Sequence, residues 1–382
     1  MRKSLAVLLF TVLFVSVFVV RVMAEGSVPG DDFSFGELYG YIPEEVAAEL
    51  PEEIFTLEGT DAAEAVDKLL EPGKIISFLV SAFTAVLPDM LSAMASLVGV
   101  VILASVFRAL SASLCSSAAS GAVELAVGIV TVLLLFSSQS AVFEAVRGYL
   151  DRLIFFMSGL LPTMCGIYLL GGNMGSAAVH STTTVLILNV VESGTVYLLM
   201  PMLRVCFGFI LITALSGGAI QTEGIMRALK ALCTALLGVV TAVLVTVLAS
   251  RNIIAAAGDT FTMRTAKLAV GNLIPVVGGT ISDSLGTLSA GLTLIKNGGG
   301  ILGIALILMI TLPMMITLLS NGLILGFSAF IADVLGCEKE KKMLLECREL
   351  SGFALGISSL GAAVFILAVV VFVSTNLAVS GG

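Results

Sequence analysis

Apolar residues run through this chain in long, nearly unbroken blocks separated by short polar islands, with no strand-like alternation. A bilayer's hydrocarbon core takes ~20 such residues per helical crossing. Nine blocks approach that length: 84–107, 121–138, 153–171, 175–191, 194–216, 229–249, 299–318, 320–335 and 352–374. Two of them are weak. The block 175–191 contains His180, Ser181 and three threonines, and 320–335 is short. The pattern predicts an all-α, polytopic helical membrane protein with seven to nine transmembrane helices over residues 75–382.

The N-terminal region reads differently. Arg2-Lys3, an apolar run from Leu5 to Val20 and the small-residue site Val22-Met23-Ala24 predict a cleaved signal peptide over 1–24. Residues 25–74 then hold 14 acidic and two basic residues, an acidic extracytoplasmic segment. Within it Ile42-Pro43-Glu44-Glu45 recurs as Leu50-Pro51-Glu52-Glu53. Proline followed by acids suits the first turn of a helix, where the missing N–H costs nothing and carboxylates meet the positive dipole end. A solvated lead-in and a docking surface for an extracytoplasmic partner both fit this segment.

Two further stretches break the pattern of plain spans. Asp259, Arg264 and Lys267 precede an apolar run, 268–281, that is too short to cross and contains Gly271, Asn272, Pro275, Gly278 and Gly279. These residues are expected to break a helix in its middle, and broken backbone at membrane depth survives only when buried in protein or lining a polar cavity. With Asp283 and Lys296 beyond it, 268–281 is the candidate re-entrant pore or packing element. An interfacial hairpin that merely packs is the competing reading. The second stretch, 338–350, carries Met343, Leu344, Cys347 and Leu350 on one helical face, with Lys339, Lys341, Lys342 and Arg348 largely elsewhere. It predicts an amphipathic interfacial helix.

Loop charge discriminates among crossing schemes, because cytoplasmic loops collect Lys and Arg. Nine crossings from an outside start leave only Arg108, Arg227 and Lys230 inside. A single crossing by 175–216 inverts the second half. Arg108, Arg251, Arg264, Lys267, Lys296, Lys339, Lys341, Lys342 and Arg348 then share the cytoplasmic side, the preferred scheme. It makes part of 175–216 re-entrant or interfacial. The same inversion follows if 75–107 crosses twice.

Composition supports the membrane reading. Hydrophobic residues make up 58% of the chain and charged residues 12%, against roughly 25% charge in soluble domains. Tryptophan is absent, so Tyr and Phe must serve as interfacial anchors. Beyond position 74 acids and bases nearly balance, which excludes the basic face that nucleic-acid binding needs. The six cysteines form no CxxC pair and read as small buried hydrophobes.

Catalytic chemistry is poorly represented. His180 is the sole histidine, so a His-based triad or multi-histidine metal site cannot be built within the chain. It reads as a helix-packing residue. Glu71-Pro72-Gly73-Lys74 lacks the first glycine and the Ser/Thr of a phosphate loop. The sequence calls for no cofactor and no metal. Ionisable residues within the spans are the stronger signal, since they face bundle interiors or water-filled paths. Arg204 lies mid-way along 194–216, and it is expected to pair with Glu124 or Glu192 inside the bundle.

The stretch Gly258-Asp259-Thr260-Phe261-Thr262-Met263-Arg264-Thr265-Ala266-Lys267, running into Gly271-Asn272-Leu273-Ile274-Pro275-Val276-Val277-Gly278-Gly279, resembles the signature region of the stage III sporulation protein AE family. Ser282-Asp283, Lys296-Asn297-Gly298 and Phe156-Met157-Ser158-Gly159-Leu160-Leu161-Pro162 match it as well. One departure is Ala332-Asp333-Val334-Leu335-Gly336, where the family leads one to expect a Gln-Pro pair. The resemblance implies a polytopic subunit of a channel or secretion-like complex linking mother cell and forespore during endospore formation. Its implied partners are other membrane proteins, ring-forming proteins and a separate ATPase. The resemblance carries over no catalytic residue. A stand-alone transporter for ions or small solutes is the alternative, and it lacks a clear inverted repeat with paired broken helices. An intramembrane enzyme lacks the set of nucleophile, base and metal ligands.

Overall fold

A computed structural model of the chain describes residues 40–47, 72–114, 117–170, 174–216, 224–247 and 278–374. The signal peptide, most of the acidic segment and the signature stretch 248–277 lie outside the described residues. Everything described is helical or a turn between helices. α1 is the short Glu44–Ala47, α2 Pro72–Leu114, α3 Ser117–Leu170 and α4 Met174–Val191. A π-helical stretch, Glu192–Leu199, joins α4 to α5, Met200–Leu215. Then come α6, Gly224–Val247, α7, Gly278–Val334, and α8, Glu338–Ser374.

Among the described residues six helices are long and apolar enough to cross a bilayer. The expected breaks between 138 and 153 and between 318 and 320 do not occur, because α3 and α7 pass through them as single helices. The polar island on α3 leaves the helix intact because Arg147, Asp151 and Arg152 point outward while Val146, Tyr149, Leu150 and Leu153 face the core. Likewise 175–216 is one element, with the π-helical stretch in place of a break. At ~1.5 Å per residue, α3 and α7 each reach about 80 Å, well beyond a hydrocarbon core of about 30 Å. Pro88, Pro162 and Pro313 lie inside helices. Each removes one backbone donor, a defect that neighbouring helices and Ser/Thr hydroxyls tolerate in apolar bundles.

Continuity of α7 also corrects the charge-based scheme. Lys296 and Lys339, placed there on the same side, are separated by about two thirds of α7, about 57 Å of unbroken helix. The stretch 338–350 is corrected too. It forms the first turns of α8, and Met343, Leu344, Cys347 and Leu350 are buried against protein. The turn before it explains the Ala332–Gly336 departure. Gly336 takes a left-handed φ of +69°, and the Cys337 N–H closes on the Ala332 carbonyl at 2.8 Å, a Schellman-type helix stop.

α7 and α8 form the centre, wrapped by α2, α3, α4 and α5. Small residues allow the close approach. A Cβ at Gly300 would run into Val373, and Gly303 faces Leu160. Two buried polar networks tie the apolar centre together. The Gln139 amide donates to Asn321 Oδ1 at 3.1 Å and the Asn321 amide donates back to Gln139 Oε1 at 3.2 Å. Asn321 also donates to Ser351 Oγ at 2.8 Å, so α3, α7 and α8 meet at one point. Further along, Tyr149 shares a 3.2 Å hydrogen bond with Thr311 and donates to the Ser358 carbonyl at 3.1 Å. His180 is buried against Phe372, ring centroids 5.2 Å apart, a packing role.

The described part of the acidic segment docks on this bundle. Pro43 precedes α1 as the proline–acid pattern predicts. Ile42 and Val46 are buried, and Tyr41 lies over Gly159 with its ring 5.0 Å from Phe155. A side chain at 159 would collide with that ring.

Asn321→Leu should lower stability by about 1–3 kcal/mol, since it strands the Gln139 amide in the core. Thermal unfolding of the detergent-solubilised protein reads this, and adding Gln139→Leu should recover part of the loss. Gly159→Val should release residues 40–47 while leaving the bundle folded, seen as protease cleavage near Tyr41 with the helical core intact.

Candidate functional site

Five helix ends converge at the end of the bundle remote from Tyr41: those of α2, α3, α5, α7 and α8. Glu338 and Glu340 occupy the first turn of α8, where the helix dipole favours carboxylates. One Arg108 amino group donates to both carboxylate oxygens of Glu340, at 2.7 and 2.8 Å. Glu340 is only 4% exposed, so this pair is the desolvated member of the layer. Lys339 donates to Glu124 at 2.7 Å, and Lys341 to Asp333 at 2.7 Å. Thr131, Ser216 and Met343 complete a crevice of about 220 Å³ with Arg108, Glu124, Lys339 and Glu340 on its walls. Below it, Lys230 of α6 donates to Glu349 at 2.8 Å and approaches Glu346 at 3.9 Å. Burial pushes the Cys337 thiol above its ordinary value, with the Arg108 guanidinium pulling the other way.

Arg204 does not meet either expected partner. It donates to Glu144 at 2.7 Å, on the outer face of the α3–α5 pair. Glu124 is held by Lys339, and Glu192 accepts from Tyr197 at 3.2 Å. The reason is register: Glu124 lies twenty residues nearer the ionic end of α3 than Glu144, about 30 Å along the helix, and beyond the reach of Arg204. Glu144 escaped notice because the expected break at 139–152 made it a loop charge. Glu340 was visible only as one acid of an amphipathic stretch, and its partner Arg108 lies 232 residues away.

Of the signature residues, Asp259, Arg264, Lys267, Gly271, Asn272 and Pro275 lie outside the described residues. Gly278 and Gly279 open α7, and Asp283 and Lys296 lie within its N-terminal third. Among the described residues no disulfide joins two cysteines, and no three His, Cys, Asp or Glu side chains gather as metal ligands. What the layer offers is anchored charge: fixed pairs around a small crevice, and helix ends pinned to one another.

Lys341 pairs with the half-exposed Asp333, whereas Arg108 pairs with the buried Glu340 and is left uncompensated without it. Glu340→Ala should therefore cost about 3 kcal/mol in unfolding stability, and Lys341→Ala should change it little. Chemical unfolding of the two variants side by side checks the contrast.

The family model described as stage III sporulation protein AE matches residues 61–381. A Bacillus subtilis (strain 168) protein described as "Stage III sporulation protein AE" is 24% identical over 208 residues, covering 54% of this chain and 52% of that protein. The match thus spans about half the length of that curated relative. No solved structure matches the chain.

Proposed function

Because the chain belongs to the stage III sporulation protein AE family, we propose that it is the polytopic membrane subunit of a channel or secretion-like complex linking mother cell and forespore. The observation that carries this reading is the family match over residues 61–381, joined to six long apolar helices among the described residues. In this reading the chain works by holding position in a membrane, and any ATP-driven step belongs to a separate ATPase. Ring-forming and other membrane proteins of the complex are its partners.

Orientation follows from the two ends of the bundle. Residues 40–47 sit against Phe155 and Gly159, about 50 Å along α3 from Glu124. We place that end on the extracytoplasmic face, in the space between the two cells. The opposite end, with Arg108, Lys339, Lys341 and Lys342, then faces the mother-cell cytoplasm, the side that collects basic residues. The mother-cell membrane around the forespore is the proposed location.

Deleting the gene in its spore-forming host should abolish heat-resistant spores with engulfment complete, and the full chain supplied in the mother cell should restore them. Normal spore counts in the deletion would sink the reading. A membrane-impermeant maleimide applied to intact non-sporulating cells, with the chain expressed in their cytoplasmic membrane, should label Tyr41→Cys and spare Lys342→Cys. The reverse pattern would invert the proposed orientation.

A further inference from the structure

The Arg204–Glu144 pair points away from the bundle, with 41% and 65% of the two side chains exposed. Arg147 and Asp151 lie one and two turns further along α3, 3.8 Å apart and both half exposed. Glu144 lies within the apolar stretch Gly121–Ile167, and Arg204 within Ala177–Leu215. Arg152 is exposed beside Asp151 and adds a further cation, and beyond these charges large apolar side chains face outward on both helices. Leu133 and Phe136 lie toward the ionic layer, Phe155 lies beyond Asp151, and Tyr197, Leu198 and Val205 flank Arg204.

A charged centre within an apolar rim is the inverse of a water-facing surface. Facing hydrocarbon, paired charges would be costly and would have no solvent to meet their remaining donors and acceptors. Facing another protein, the same patch has the anatomy of an interface, where Arg and aromatic residues anchor the centre. The π-helical stretch contributes to the shape. Such stretches concentrate at functional places, and this one turns Tyr197, 65% exposed, onto the outer surface beside Glu192.

The charges also indicate what covers the patch. It carries equal and opposite charge at nearly one level of the bundle, the acid on α3 and the base on α5. A second copy rotated by a two-fold axis along the membrane normal sets α3 against the partner's α5. Glu144 of each copy then meets Arg204 of the other, a self-complementary arrangement that a two-fold contact requires. We propose that the α3–α5 face is a self-association surface, on which two copies of this chain join through a four-membered ring of Glu144 and Arg204. The contact turns two outward ion pairs into one enclosed square, and the flanking Leu133, Phe136 and Tyr197 exclude lipid from it.

Two full-length chains with different affinity tags, co-expressed and extracted together in mild detergent, provide the test. The unaltered pair should co-purify. Glu144→Arg alone gives a patch with only cations at these two positions, and Arg204→Glu alone gives only anions. Self-capture of either variant should fall at least tenfold. Because one patch is then positive and the other negative, chains carrying Glu144→Arg should capture chains carrying Arg204→Glu at the unaltered level. A role confined to one chain predicts no such selective pairing. Failure of the unaltered chains to co-purify, self-capture by either reversal at the unaltered level, or no recovery in the mixed pair would each overturn the proposal. Single-molecule photobleaching of unaltered labelled chains in liposomes gives a second reading free of substitutions. One bleaching step per particle at all protein densities would overturn it too.

Discussion

Three helices of apolar residues can slide past one another at little cost unless something polar marks their register, and here Gln139, Asn321 and Ser351 mark it. The paired amides answer each other's donor and acceptor in a region where water cannot substitute. A shift of one helical turn would leave both amides buried and unmet, at a cost of about 1–3 kcal/mol each. Burial of Leu and Ile gives no such preference for one register over another. Tyr149, bridging Thr311 and Ser358, repeats the device further along the same three helices. With two fixed points, the relative positions of α3, α7 and α8 are determined along their length.

The ionic layer depends on that alignment. Arg108 reaches Glu340, and Lys339 reaches Glu124, only because the ends of α2, α3, α7 and α8 arrive at one level. The Schellman stop at Gly336 contributes equally, since it reverses the chain within a few residues and brings Lys341 back over Asp333. Charge in this protein is thus a product of helix register. Among the described residues it sits mostly where helices end or turn outward.

Much of this was legible in the sequence. Long apolar blocks announced helices, and the proline–acid pattern announced α1. The family was legible in the signature around Asp259 and Gly279. The number of helices was not legible, because charge on one face of a long helix looks, in one dimension, the same as charge in a loop. Glu144, Arg147, Asp151 and Arg152 follow a spacing that leaves Val146, Tyr149, Leu150 and Leu153 free to face inward. Reading that stretch for period rather than for polarity would have kept α3 whole. Ion-pair partners were beyond reach for a different reason. Arg108 and Glu340 are neighbours only after four intervening helices have been laid down, so no local pattern relates them.

The seat of Tyr41 has a consequence for the order in which the chain is built. Its floor is Gly159 on α3, and Ile42 and Val46 pack into a core to which α7 contributes. Residues 40–47 leave the ribosome long before either surface exists. They must wait, undocked, while the helices that will receive them are made and inserted. Their docking is therefore a late event in biogenesis, and it reports that the central helices have arrived. A chain stalled before α7 would carry its lead-in loose, open to proteases that the finished protein excludes.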